Sequence, residues 1–255
     1  MSNDENMVSG DELTTQSGHT TLYKGKPFTG IRADYHENGK IKHKGHFKNG
    51  RMDGHFVYWY ENGNIKNEGQ TQDGRITGVY YTGHENGAKQ SEVNFKNSVE
   101  DGACVFYDED GQKDTEGQHK NGKRVGIWIA WWNNGKKFSE SNYINDMKDG
   151  LYTQWFKDGN KDRETYYKND IPNGKETRWY ENGQKRIETI YKDGERHGFQ
   201  TGWYENGQKS GEGDFVDGKV HGLHIGWKEN GQKRAESHWE YGEQISLWEN
   251  GKQIY

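Results

Sequence analysis

The motif aromatic-x-Glu-Asn-Gly-x-Lys, in full or degenerate form, returns every 24 residues. Its glycine falls at Gly39, Gly63, Gly87, Gly111, Gly135, Gly159, Gly183, Gly207 and Gly231. A last copy, Trp248-Glu249-Asn250-Gly251, follows after only 20 residues. Periodicity on this scale builds a chain from stacked supersecondary units, each touching mainly its neighbours. Between the central glycines lie second glycine pairs, such as Gly50/Gly54, Gly74/Gly78, Gly122/Gly126, Gly194/Gly198 and Gly218/Gly222. Each repeat therefore has two turns separated by runs of about eight residues, which reads as one β-hairpin. Asn-Gly and Asp-Gly supply the backbone conformations that tight turns require.

The columns of the repeat indicate how the strands face. Four places before the glycine stand Tyr35, Trp59, Gly83, Tyr107, Trp131, Trp155, Trp179, Trp203 and Trp227. Six before stand residues such as Val57, Ile129 and Thr177, and eight before mostly aliphatics such as Ile31, Val79, Ile127, Leu151 and Leu223. This strand alternates with period two. On the second strand, small residues (Gly45, Gly69, Ser141, Thr165) lie six places after the glycine and aromatics (Phe47, Phe95, Tyr143, Tyr191) eight after. A three-residue Glu-Asn-Gly loop with left-handed glycine puts all these columns on one side, and a slip of one residue exchanges the faces. The fold expected is all-β: an elongated, curved antiparallel meander of hairpins wrapped around its tryptophan side. It comprises a single repeat domain over 21–255 of about ten hairpins, on the order of 90–100 Å long. Residues 1–20, with Asp4, Glu5, Asp11 and Glu12, read as a flexible acidic tail.

Such a ribbon explains an odd composition. Leu, Ile, Val and Phe number only 36 of 255, too few for an ordinary globular core, yet there are 10 Trp and 16 Tyr, which a disordered chain lacks. The charge of −5 argues against a dedicated nucleic-acid binder. It also disfavours anionic membrane surfaces. The acidic start does not read as a signal peptide, and the lone Cys104 fits a reducing compartment, so the cytoplasm is the expected location unless an export signal has been removed.

Repeats such as Trp179-Tyr180-Glu181-Asn182-Gly183-Gln184-Lys185, followed by Glu188, Tyr191-Lys192-Asp193-Gly194 and Gly198, resemble the bacterial variant of the membrane occupation and recognition nexus (MORN) repeat. Chains of such repeats resemble the YwqK family of antitoxins. The resemblance covers residues 21–255 and implies an elongated β-ribbon, no catalytic residues, and neutralisation of a toxin by direct binding. The chain departs from the pattern at Gly83 in the tryptophan column, at Ser98, Asp146 and Asp170 in place of turn glycines, and at Pro172. These departures predict locally altered turns in repeats 3, 5 and 6, counting repeats by central glycine from Gly39.

Two features invite a functional reading. The column Glu68, Glu92, Glu116, Glu140, Glu164, Glu188, Glu212 and Glu236 is expected opposite the tryptophans, as a solubilising row paired with lysines and with arginines such as Arg186 and Arg234, or else as a rail for a basic partner. On that same outer face repeats 2–6 carry Phe56, Tyr58, Tyr60, Tyr80, Phe106, Trp128, Trp132, Tyr152 and Phe156. At the positions seven and five before the glycine, repeats 7–9 carry Glu176, Arg178, Gln200, Gly202, His224 and Gly226. An exposed aromatic patch marks a binding surface, so these nine aromatics are the expected partner-binding residues unless the chain itself covers them.

Catalysis finds no support. His43/His46 and His221/His224 have ligand-like spacing without further ligands, Cys104 lies mid-strand, and no phosphate-binding loop is present. No metal or cofactor is expected. The reading is a non-enzymatic antitoxin or immunity protein with a protein partner, a toxin. Homodimerisation could occur through the ribbon ends or the outer aromatic face. A MORN-type scaffold, a membrane-surface protein and a carbohydrate or cell-wall binder are the alternatives.

Overall fold

The computed structural model describes residues 7–16, 20–249 and 252–254. They form strands, turns and one 3-10 turn, Gly10–Glu12; no α-helix occurs among them. Contacts divide the chain into two compact units, Met1–Lys123 and Arg124–Tyr255. In each, successive strands pair antiparallel as a meander, for example Arg51–Trp59 with Ile65–Gln72 in the first, and Ile171–Trp179 with Lys185–Lys192 in the second. The last motif copy is described only to Glu249; its Asn250 and Gly251 lie outside the described residues.

The short turns carry two successive left-handed residues, as at Asn49 (φ 50°) and Gly50 (φ 81°), a geometry that suits hairpins. Ser98, Asp146 and Asp170 keep this turn rather than altering it, with φ of 64°, 72° and 63°. Their side chains offset the strain. Ser98 Oγ accepts from Ile76 N at 2.9 Å, and Asp146 and Asp170 each accept from a backbone N–H, of Arg124 and Lys148, at 2.8 Å. Pro172 sits one residue into its strand, where its carbonyl accepts from Gly194 N.

The Glu-Asn-Gly turn explains why its motif recurs. In repeat 7, Gly183 N donates to Tyr180 O and Tyr180 N to Gln184 O, closing the three-residue loop. Asn182 Oδ1 accepts from Gln184 N, while its Nδ2 donates to Glu205 O, 23 residues on. The same bond to the next repeat is made by Asn38, Asn62, Asn86, Asn134 and Asn206. The asparagine therefore ties repeat to repeat, as well as shaping its own turn.

Three residues beyond the loop glycine the face assignment changes. Tyr58 pairs with Asn67 but Trp59 pairs with Ile65, leaving Lys66 as an extra, bulged residue. The corresponding bulge falls on Lys42, Arg186 and Arg234 in other repeats. A bulge inserts one residue and so exchanges inward and outward for the rest of the strand. Directly opposed residues share a face, so Val57 and Thr177 stand with Glu68 and Glu188, while Phe56 and Glu176 stand with Gly69 and Thr189. The tryptophan and aliphatic columns thus share a face with the glutamates. The small residues and second-strand aromatics lie on the other, against the sequence expectation.

On the tryptophan face the glutamates are architecture. Lys137, Lys161, Lys185 and Lys209 each pair with the glutamate three residues on, at 2.6–2.8 Å. Each also lies 5.7–5.8 Å from the tryptophan ring of the next repeat: Trp155, Trp179, Trp203 and Trp227. Lys89–Glu92 and Lys233–Glu236 pair in the same way. Arg186 and Arg234 take no part.

The expected tail is partly ordered. Met7–Ser9 runs parallel to Gly30–Tyr35, and Leu13–Gln16 pairs with Thr20–Tyr23. Val8 is buried with Phe28 and Phe47 on the ring-bearing face, with Leu13, Tyr23 and Met52 packed around them. Burying these apolar groups offsets the entropy of ordering the segment. Asp11 and Glu12 lie in the 3-10 turn; residues 1–6, including Asp4 and Glu5, and 17–19 are outside the described residues.

Candidate functional site

The nine aromatics expected to form an exposed patch are partly covered within the chain. Phe56 is buried, and Tyr58, Tyr60, Tyr80, Phe106, Trp128, Trp132, Tyr152 and Phe156 are all half-buried. Tyr80 packs between Phe56 and Phe95, Trp128 against Tyr143, and Tyr152 against Tyr167, with ring centroids 5.7–6.3 Å apart. Tyr60 and Trp132 are struts between repeats: the Tyr60 hydroxyl donates to Gly83 O and Trp132 Nε1 to Trp155 O, each at 3.0 Å. Tyr180 and Tyr204 act alike in the second unit, at 2.8 Å. Removing Trp128 and Trp132 therefore strips structure, rather than a free surface.

On the other face of the second unit a set of large apolar groups is exposed. Ile127 (50%), Leu151, Tyr166, Ile190, Phe199 and Leu223 are all exposed, and Leu151 stands directly opposite Tyr166. Their strands lie within one run of the meander, interspersed with strands that present Asn142, Lys175 and Asp214, so the row extends on the order of 40 Å at ~4.8 Å per strand. In the first unit two of the matching pairs, His55–Gln70 and Ala103–Gln118, are polar or small, and Ile31 and Val79 there are half-buried.

On the ring-bearing face, repeats 7–9 open into a groove of about 880 Å³. Its floor includes Gly202, Gly211, Gly213 and Gly226. In earlier repeats, positions matching Gly202 and Gly226 hold Tyr58 and Phe106. Where the rings stop, the hollow begins.

Four arginines line it: Arg178, Arg186, Arg196 and Arg234. Arg178 is neutralised by Glu176, at 2.8 Å; Glu176 is 4% exposed, accepts from the fully buried Thr165 hydroxyl at 2.8 Å, and lies 3.7 Å from Arg163. Arg186, Arg196 and Arg234 meet no carboxylate within 4.0 Å among the described residues. Arg196 lies 4.3 Å from the Phe215 ring centroid, and Arg186 5.7 Å from that of Tyr180. Arg186 and Arg234 occupy the bulged position, a device that re-aims a side chain. Burial raises the Tyr191 phenol pKa and Glu176 adds to it, against the opposing charges of Arg178, Arg196 and Arg163. The arrangement can bind anions, but offers no nucleophile with a base beside it.

The histidine pairs are separated by their environments. His46 bonds to His55 O, and His224 to Asp214 O with its ring edge-on to Phe215. His221 lies against Tyr241. Among the described residues no cluster of three His, Cys, Asp or Glu could hold a metal. Burial lifts the Cys104 thiol to about 11, which keeps it from acting as a thiolate nucleophile.

His43 is 3% exposed, with Nδ1 3.1 Å from Asp34 and its ring 4.2 Å from that of Tyr58. Burial lowers its pKa below 6.5, outweighing the bond and charge of Asp34; Arg32 adds to the lowering. A depressed folded-state pKa means the unfolded chain binds the proton more readily. Stability is therefore retained above about pH 6.5 and lost as the pH falls through the folded-state value. Urea unfolding between pH 7.5 and 5 should show this slope, and His43→Gln should flatten it. An unchanged slope in the variant would contradict the assignment.

Hairpins repeated at fixed spacing, each bonded to the next, define a β-repeat protein. More particularly, the family model described as "MORN repeat variant" matches residues 28–49, 52–73, 124–145, 148–169 and 172–193. The chain thus carries MORN-type repeats, and repeats 8 and 9, which supply much of the groove, lie outside the matched segments. No curated protein matches the sequence. Among solved structures, a chain of "Crystal Structure of TcdB2-TccC3" is similar over 94% of this chain and 16% of its own length, at 11% identity and a TM-score of 0.17. So loose a superposition carries no argument about fold or function.

Proposed function

We propose that this chain is a non-enzymatic, protein-binding antitoxin of the YwqK kind, acting in the cytoplasm by occluding a toxin. The observation that carries the reading is the exposed apolar row of the second unit. Six large apolar side chains standing in water on one sheet face, interleaved with Asn142, Lys175 and Asp214, are costly to leave uncovered, and a mixed apolar and polar surface of this kind suits burial by a protein partner. The sequence resemblance to antitoxins built from such repeats supplies the class of partner. The nine aromatics on the other face contribute indirectly, by holding the sheet that displays the row.

Co-expression with the product of the adjacent gene tests this. Growth should be rescued and a complex recovered. Leu151→Asp, Phe199→Asp and Leu223→Asp together should abolish both while leaving the circular-dichroism melt intact. Absence of any complex or rescue with the native chain would end the proposal. A triple variant that still protects would remove the row from it.

A further inference from the structure

We propose that the groove over repeats 7–9 receives an extended acidic segment of the protein partner, its carboxylates held by Arg186, Arg196 and Arg234. This rests on the protein-binding reading above and names the chemistry of one contact within it.

Charge is the first argument. The chain carries −5 overall, yet the groove gathers four arginines, and only Arg178 has its carboxylate supplied from within. The planar guanidinium fork matches a carboxylate with two parallel hydrogen bonds.

Space is the second. Gly202 and Gly226 carry no side chain where earlier repeats hold residues as large as Tyr58 and Phe106, and Gln200 stands where Trp128 and Tyr152 do, leaving depth for a polypeptide. Spacing is the third: Arg186 and Arg234 hold the same bulged position two repeats apart, four strand steps, or ~19 Å. An extended chain advances ~3.3 Å per residue, so carboxylates about six residues apart match both.

The ring beside Arg196 offers no stacking platform to a nucleic acid or a sugar. Phe215 is 6% exposed and capped by Arg196, and Trp239 Nε1 is committed to Ser237. Phe215 therefore presents no free face on which a base or a sugar would stack.

The test uses the full chain and a fluorescein-labelled octaglutamate peptide, with octalysine and inorganic pyrophosphate as comparisons. Octaglutamate should bind and octalysine should not. Arg186→Ala with Arg234→Ala should weaken binding more than about tenfold, since each loses a charge-assisted contact. Gly226→Tyr restores the residue type found at Tyr58. Its new Cβ meets only the tip of Arg234, at 3.3 Å, so the fold should be kept while binding is lost. Failure of octaglutamate to bind, or binding unchanged in both variants, would overturn the proposal. Pyrophosphate binding as tightly as the peptide would overturn it in favour of a phosphate site. The two readings fail separately. Peptide binding without growth rescue removes the antitoxin, whereas rescue that persists in both groove variants removes the acidic contact.

Discussion

Gly83→Trp should destabilise the protein by about 2–3 kcal/mol, although it restores the residue found at six of the other eight places in its column. Substitution towards a repeat's own consensus ordinarily stabilises. Here a Cβ at Gly83 would lie 2.3 Å from the backbone carbonyl oxygen of Ile65, a contact that no side-chain rotation relieves. The same stretch is held from the other side by the Tyr60 hydroxyl, which bonds to Gly83 O. Gly211→Ala is the control: its φ is ordinary and the new Cβ would meet Ile225 O at 3.5 Å, normal contact. Urea unfolding of the two variants should diverge. Gly83→Trp as stable as the parent would show that the strand has room the structure denies it.

The second large effect is at Glu176. Glu176→Ala removes the partner of Arg178 and of Arg163 and leaves the Thr165 hydroxyl, 0% exposed, with no acceptor. An unsatisfied buried hydroxyl and a lost charged hydrogen bond each cost of order 1–3 kcal/mol. Both arginines are partly solvated, which discounts their share. A loss of about 3 kcal/mol is expected. Removing both partners together should cost less than the sum, so Thr165→Val in the Glu176→Ala background should add little. A loss under 1 kcal/mol, or strict additivity, would mean the trio does not act as a unit.

The repeat, both turns and the strand boundaries were legible in the sequence, because Asn-Gly, Asp-Gly and the 24-residue spacing each act locally. Which face was which was not. The three-residue loop was correctly read, but a bulge beside it, at residues as unlike as Lys66, Asp114, Phe138 and Arg186, reversed the assignment. No residue type announces that bulge, since its cause is the pairing of the whole strand. The reversal also explains the candidate sites. Apolar residues such as Leu151 and Phe199, expected in a core, stand exposed, and rings such as Phe56 and Trp128, expected outside, are packed. Ser98, Asp146 and Asp170 looked like damaged turns because their compensating bonds reach 22 residues away. The signal for the groove was present in Gly202 and Gly226, but it reads as a hollow only once the ring-bearing side is known to be the one those glycines face.

Paired cysteines report that sidedness directly. Thr177 and Glu188 are directly opposed across their strands, within reach of a disulfide, whereas Thr189 points to the other face. Cys104 is buried, with its thiol pKa raised to about 11, so it should not compete. Under mild oxidation, T177C/E188C should close an intramolecular disulfide and T177C/T189C should remain reduced. Closure of T177C/T189C in place of T177C/E188C would put the tryptophans and glutamates on opposite sides and contradict the account.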